Sequence, residues 1–222
     1  KPAKGGIQIL FGEVNDPKVC IEYNLHKYRI LPKKNTHVEL KEINKNILDL
    51  TKEDVFSIDP EDTVDVDDAF HFNFTDNILE LGIHITDLSD LQIDDLDKLS
   101  NKFSTFYFNN FLQSKNITLF DETICNNSNS LLQGQNRKCI SLIVKFYEKN
   151  ISYEFKNTLI NNKNKISYES ADKLLLREDK FIKLKSKLES HWGQIKDSHD
   201  LIEKLMIFYN NKMAEYLRNQ KL

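Results

Sequence analysis

The chain has 222 residues, 40% of them hydrophobic, with 6 Gly and 4 Pro, which suits one globular domain of ordinary size with room for a small appendage. No run approaches the ~18 to 20 apolar residues of a membrane span and the N-terminus carries no apolar signal core, so a soluble chain is expected. The balance of 31 Lys and Arg against 34 Asp and Glu hides a strong asymmetry: Glu53 to Asp97 holds 15 acidic residues and no Lys or Arg, leaving 31 basic and 19 acidic residues outside it, a formal +12. The three cysteines, Cys20, Cys125 and Cys139, are odd in number and lack C-x-x-C spacing. They read as reduced thiols of an intracellular protein, cytoplasmic or nuclear, rather than a disulfide frame or zinc site. Beginning at Lys1 without Met, the sequence reads as a processed piece of a longer chain.

Residues 1–45 read as a β segment: Ile7 to Val14, Val19 to Tyr23 and Lys27 to Leu31 are short apolar or alternating runs separated by turn signals such as Asn15-Asp16-Pro17. Val55 to Asp59 follows as a short apolar strand running into a turn at Pro60. Next comes the densest anionic stretch, with six carboxylates in the ten positions from Asp59 to Asp68. Like charges this close repel and raise one another's pKa, and the simplest compensation is a bound divalent cation. A solvated acidic face is the plainer alternative. Asp59 falls at the strand's end, and Asp65, Asp67 and Asp68 sit in a loop before the alternating run Ala69 to Phe74. Neighbours such as Asp67 and Asp68 would point to opposite faces of a regular strand, so convergence of all four requires a bulge or loop. Because Asp65-Val66-Asp67 also begins like an EF-hand loop, Ca²⁺ is a rival, but Phe70 stands at the sixth position where that loop needs glycine.

Thr75-Asp76-Asn77 predicts a hairpin turn into a strand over Ile78 to Thr86, on which His84 reads as a packed or hydrogen-bonded histidine rather than a ligand. The acidic Asp94 to Asp97 predicts the start of a helix running through Lys115. Lys138 to Glu148 and Ile151 to Ile160 predict a long antiparallel pair. From Ser167 the pattern turns helical; Asp179 to Trp192 is Lys-rich, either a solvated face or a phosphate-contacting one. Ser198 is the expected N-cap of a last helix with Leu201, Leu205 and Phe208 on one face.

Ile58-Asp59-Pro60, Asp65 and Asp67-Asp68-Ala69 together resemble the signature of the RNB domain of the ribonuclease II family, which includes bacterial ribonucleases II and R and the catalytic nuclease of the eukaryotic exosome. Four further blocks occur in the family's order: Leu81 to Ser89, similar to V-H-I-A-D-V-S; Ser130 to Arg137, similar to C-S-L-x-P-G-x-x-R; Lys165 to Glu169, similar to R-L-T-Y-E-E; and His199 to Asn210, similar to H-x-L-I-E-E-F-M-L-L-A-N. The resemblance implies an α+β fold, with antiparallel strands packed against helices. Residues 46–222 would form the N-terminal half of an RNB catalytic domain, and residues 1–45 resemble the end of the cold-shock-type β-barrel that precedes it. The family's second half, with its S-P-x-R-R-Y-x-D stretch and C-terminal RNA-binding barrel, has no counterpart before Leu222. A fragment, one piece of a split enzyme or a reduced paralogue is therefore expected.

The activity the resemblance implies is metal-dependent hydrolysis of single-stranded RNA from its 3′ end to nucleoside monophosphates. Asp59, Asp65, Asp67 and Asp68 would hold two Mg²⁺ or Mn²⁺ ions, whose preference for oxygen ligands the carboxylates meet. Tyr107 matches the family's tyrosine that contacts the 3′ nucleotide, although a gapless count from Leu96 puts Phe108 there, and Phe103, Phe106, Tyr107, Phe108 and Phe111 also read as a core stripe of a helix. Glu203 matches a glutamate implicated in contacting ribose, one way to tell RNA from DNA. Single-stranded RNA and either the missing half-domain or an exosome-like assembly are the implied partners. The rival from another class is a catalytically idle RNB-like module that binds RNA or protein.

Overall fold

Residues 6–7, 9–29, 38–40, 46–89, 91–93, 106–109, 114–117 and 129–220 are described in the computed structural model, the four shortest internal stretches by their backbone alone. Two compact units divide the chain, one made of Lys1–Leu40 with Leu91–Glu122 and the other of Lys41–Asp90 with Thr123–Leu222.

In the first unit, helix α1 spans Pro17–Lys27, where the sequence predicts strands over Val19 to Tyr23 and from Lys27. The reason lies in the residues that suggest a turn. Asp16 is an N-cap whose carboxylate accepts from the Lys18 N–H at 2.9 Å, and Pro17 takes the first helical position, where its missing N–H costs nothing. The described residues from Ile7 to Val14 carry no strand. Strand β1 (Val38–Leu40) pairs antiparallel with β6 (Leu91–Ile93). β7 (Phe106–Asn109) pairs antiparallel with β8 (Ser114–Ile117), so the helix expected through Lys115 is replaced here by two strands. Phe106-Tyr107-Phe108 is a run of aromatic residues that fits a strand at least as well as a helix face. Phe103 and Phe111 lie outside the described residues.

The second unit is a mixed sheet that closes on itself. β3 (Val55–Ile58) pairs with β4 (Asp68–Thr75), β4 with β5 (Ile78–Thr86), β5 with β9 (Asn136–Phe146) and β9 with β10 (Ile151–Ile166). The 16-residue β10 returns alongside β3 in parallel and completes the ring, with β2 (Leu48–Asp49) on the same edge. The β4–β5 turn falls where the sequence places it: Asp76 and Asn77 both adopt left-handed backbone, at φ 47° and 67°, which short polar side chains tolerate.

Period-2 alternation then gives the sheet two different faces. Phe56, Phe70, Phe72, Leu81, Ile83, Leu142 and Val144 form the outer core with three helices, α2 (Tyr168–Arg177), α3 (Asp179–Trp192) and α4 (Ser198–Asn219). From α3 come Phe181, Leu184 and Leu188, and from α4 Leu201 and Leu205, all buried at helical spacing. Ser167 caps α2, as its pattern suggests. The cap of α4 is Asp197 instead of Ser198: its carboxylate accepts from the Asp200 N–H at 2.8 Å, while Ser198 is buried and donates to the Tyr168 carbonyl at 3.0 Å. The two candidates are adjacent and chemically alike, and tertiary packing decides between them.

On the enclosed face, a polar chain runs through the buried interior. His71 and His84 share a hydrogen bond of 2.8 Å between Nδ1 and Nε2, His84 Nδ1 meets Ser141 Oγ at 2.6 Å, and Ser141 meets Thr158 Oγ1 at 2.6 Å. Burial lowers the pKa of both rings, and for His84 the neighbouring His71 adds to it, so both are neutral at physiological pH. His84 is therefore a packed, hydrogen-bonded histidine, as expected.

Candidate active site

Four aspartates come from the end of one strand, the loop after it and the start of the next. Asp59 follows β3 and its N–H donates to the Ile166 carbonyl at 3.1 Å, which ties it to the end of β10. Residues 63–67 have no regular structure, and Asp68 opens β4. The segment that carries them is therefore a loop rather than a regular strand up to Asp67. Val66 explains the D-x-D spacing. Its side chain is wholly buried among Val55, Ala69, Leu131, Cys139 and Ile160, which plugs the loop into the unit and leaves Asp65 and Asp67 more open to solvent. The segment runs into a strand rather than a helix, which removes the EF-hand reading.

The electrostatics join these carboxylates into one group. Burial raises the Asp67 pKa, and the charges of Asp65 and Asp59 raise it further. Burial, then Asp59 and Asp67, push Asp68 up to about 6. Burial also raises Asp65. Asp59 is raised by burial, against the opposing effects of a hydrogen bond from Ser57 and the charge of Lys165. Ser57 itself accepts from Asn162 Nδ2 at 3.0 Å. Asp59 Oδ2 is buried with no hydrogen-bond partner among the described residues. An unsatisfied buried carboxylate oxygen inside a cluster of repelling acids is the situation that a hard cation relieves.

As placed, no group of three or more His, Cys, Asp or Glu side chains among the described residues is arranged to hold a single ion. The donor set nonetheless suits Mg²⁺ or Mn²⁺, because every candidate ligand is a carboxylate oxygen.

Around the aspartates stand groups whose role sequence reasoning did not assign. The Tyr168 phenol has its pKa raised by burial and by Asp59 and Asp68, which places it beside the cluster as a neutral hydroxyl. His199 stacks on Tyr168 with ring centroids 3.6 Å apart and planes within 7°. Both residues lie in blocks that carry the family resemblance, which was the available signal. Glu203 is exposed on α4, one turn beyond His199 and on the same face of the helix. Tyr107 lies on β7 of the first unit, opposite Asn116. An open cleft of about 410 Å³ borders Asp59 and is lined by Lys165, Ser167, Glu169 and Lys173 among others. Three of the four lysines of α3 are already engaged. Lys180 pairs with Asp54 at 3.0 Å, Lys183 sits 4.3 Å from the Phe74 ring centroid, and Lys187 donates to the Tyr147 carbonyl at 3.1 Å.

A family model described as the RNB domain matches residues 47–192. A mouse protein described as 3′-5′ exoribonuclease HELZ2 is 29% identical over 128 residues, covering 55% of this chain and 4% of its own length. Among solved structures, Mycoplasma genitalium RNase R in its apo form superposes with a TM-score of 0.76 at 19% identity, covering 97% of this chain and 42% of that one. The yeast pseudonuclease Ssd1 superposes at 0.63 and 19% identity, covering 81% of this chain and 25% of its own. The chain thus spans less than half the length of each of these proteins.

Proposed function

The chain belongs to the RNB domain family, and from that premise we propose that it supplies the metal-binding half of a 3′-to-5′ exoribonuclease acting on single-stranded RNA. The observation that carries the proposal is the coupled group of Asp59, Asp65, Asp67 and Asp68, each with its carboxyl raised towards neutrality by burial, by its neighbours or by both. These residues would hold the divalent ions, which supply an activated water and stabilise the leaving 3′ oxygen. The chain's own contribution is to hold four mutually repelling acids on a loop fixed by Val66. Lys165 supplies a balancing charge. Tyr168 offers a hydroxyl that stays protonated beside the anionic cluster, suited to donating to a substrate oxygen. On the family resemblance alone, Tyr107 and Glu203 are the proposed contacts to the 3′ nucleotide and its ribose.

The test is Asp67→Asn in the intact protein that carries this chain, assayed with Mg²⁺ on end-labelled single-stranded RNA. Release of nucleoside monophosphates should fall by about 10²- to 10³-fold, the scale of losing a principal electrostatic element of a site, while RNA binding stays within a few-fold. Unchanged turnover would refute the assignment. The likeness to a pseudonuclease favours a second reading, an idle RNB-like binding module. Its signature would be a wild-type protein that binds RNA and releases no nucleotide with Mg²⁺ or Mn²⁺.

A further inference from the structure

The loop that carries the aspartates is held by Ser130, which has no part in the reaction proposed above, and by Lys165, whose charge also balances Asp59. Ser130 is wholly buried, and its single hydroxyl brackets Asp65. Ser130 Oγ donates to the Val64 carbonyl at 2.9 Å and accepts from the Val66 N–H at 2.9 Å. The next residue continues the contact, with the Leu131 N–H donating to the Val66 carbonyl at 2.8 Å. Lys165, near the end of β10, holds the earlier part of the loop: its ammonium donates to the Glu61 carbonyl at 3.2 Å and to the Thr63 carbonyl. From Glu61 to Val66 the backbone is thus fastened by five hydrogen bonds, at four residues, to segments more than sixty residues away in sequence.

We propose that Ser130 and Lys165 are positioning residues that clamp the Asp59 to Asp68 segment, and that this clamp sets how tightly the aspartates hold a divalent cation. The inference rests on the metal-dependent reading. Four carboxylates that repel one another move apart unless their backbone is restrained, and a site assembled in advance binds its ion more tightly than one that must be gathered on binding. Ser130 fixes the loop through the buried Val66 N–H, which has no water to replace its partner, and through the part-buried Val64 carbonyl. Lys165 adds a cation beside Asp59, so its loss removes both a tether and a compensating charge.

The experiment uses the intact protein as wild type, Ser130→Ala, Lys165→Met, Lys165→Arg and Asp67→Asn. Amide hydrogen exchange over residues 60–68 reads the clamp, and paramagnetic resonance of free Mn²⁺ reads the affinity. Ser130→Ala and Lys165→Met should speed exchange in that segment without speeding it in the β4–β5 hairpin. Each should weaken Mn²⁺ binding roughly tenfold to a hundredfold, the usual effect of removing outer support from a metal site. Lys165→Arg should restore most of both. Unchanged exchange overturns the clamp, and faster exchange with unchanged Mn²⁺ affinity overturns its link to the metal. A wild type that binds Mn²⁺ no better than Asp67→Asn does overturns the metal reading itself and this inference with it. Should Ser130→Ala not fold, the Lys165 pair, at a partly exposed position, decides alone.

Discussion

Asp68 is the aspartate whose environment most opposes its charge, with its carboxyl pushed up to about 6 by burial and by Asp59 and Asp67. A carboxyl raised above its unfolded value of about 3.9 stabilises the fold fully only below that value, and the contribution is lost as pH rises through about 6. For Asp68 alone this is about 3 kcal/mol at neutral pH, an order-of-magnitude figure. The metal-free protein should therefore melt at a lower temperature at pH 7.5 than at pH 5, and added Mg²⁺ should recover much of the difference. A midpoint that rises from pH 5 to 7.5 without metal contradicts this. Gly82 makes a separate case in the interior, because a Cβ there would lie 2.2 Å from His71 Cε1. Both residues belong to strands, so neither can yield easily. Gly82→Ala should destabilise by about 1–3 kcal/mol in chemical denaturation, the usual cost of overpacking. The acidic clustering was legible in the sequence as six carboxylates in ten positions. The His71–His84–Ser141–Thr158 chain was not, since its members are distributed over four strands and meet only once the sheet closes.

Elements were legible where one local signal dominates. Asp76-Asn77 between two alternating runs gave the β4–β5 hairpin, and the apolar spacing of Leu201, Leu205 and Phe208 gave α4. Reading failed where one residue type serves two purposes. Asp16-Pro17 marks a turn or caps a helix with equal ease, and only the 2.9 Å contact to the Lys18 N–H shows which. The aromatic run at Phe106 likewise satisfied a helical stripe and a strand. The function of α3 was also ambiguous, because Lys180, Lys183 and Lys187 suit a solvated face or a phosphate track equally well. In the fold they lie over Phe56, Phe181 and Phe74 or donate to a carbonyl. Their aliphatic stems thereby cover apolar rings while the charges stay near water. What seats this helix is Phe181, 1% exposed, with its ring edge-on to Phe56 at 5.2 Å and to Phe72 at 5.1 Å. Phe181→Ala should cost about 3–5 kcal/mol in equilibrium unfolding. Because β3 and β4 carry the aspartates, metal affinity should fall with it. A loss below about 1 kcal/mol would mean that α3 is held by other contacts.

For the whole molecule, the uneven charge would, under the proposed function, let RNA binding be separated from catalysis. Outside Glu53 to Asp97 the chain carries 31 basic and 19 acidic residues, and inside that window it carries acids alone. Several lysines are already committed, Lys145 to Glu80, Lys173 to Glu169 and Lys212 to Glu215, so the excess available to a polyanion is smaller than the formal count. Single-stranded RNA bound through the remaining cations releases counterions, and affinity falls with salt at a slope of about 0.7 per phosphate neutralised. Four such contacts would lower affinity roughly fiftyfold between 50 and 200 mM salt. Lys183→Met, which removes a lysine that lies against Phe74, should leave that slope unchanged. Removing the divalent ion should weaken binding at every salt concentration, because the bare aspartates repel the phosphates that the loaded site attracts. Fluorescence anisotropy of a labelled oligoribonucleotide, titrated with KCl in the presence of Mg²⁺ or of EDTA, measures both effects. An affinity indifferent to salt would assign RNA recognition to stacking and hydrogen bonding. Tighter binding in EDTA than in Mg²⁺ would mean that the acidic window does not face the RNA.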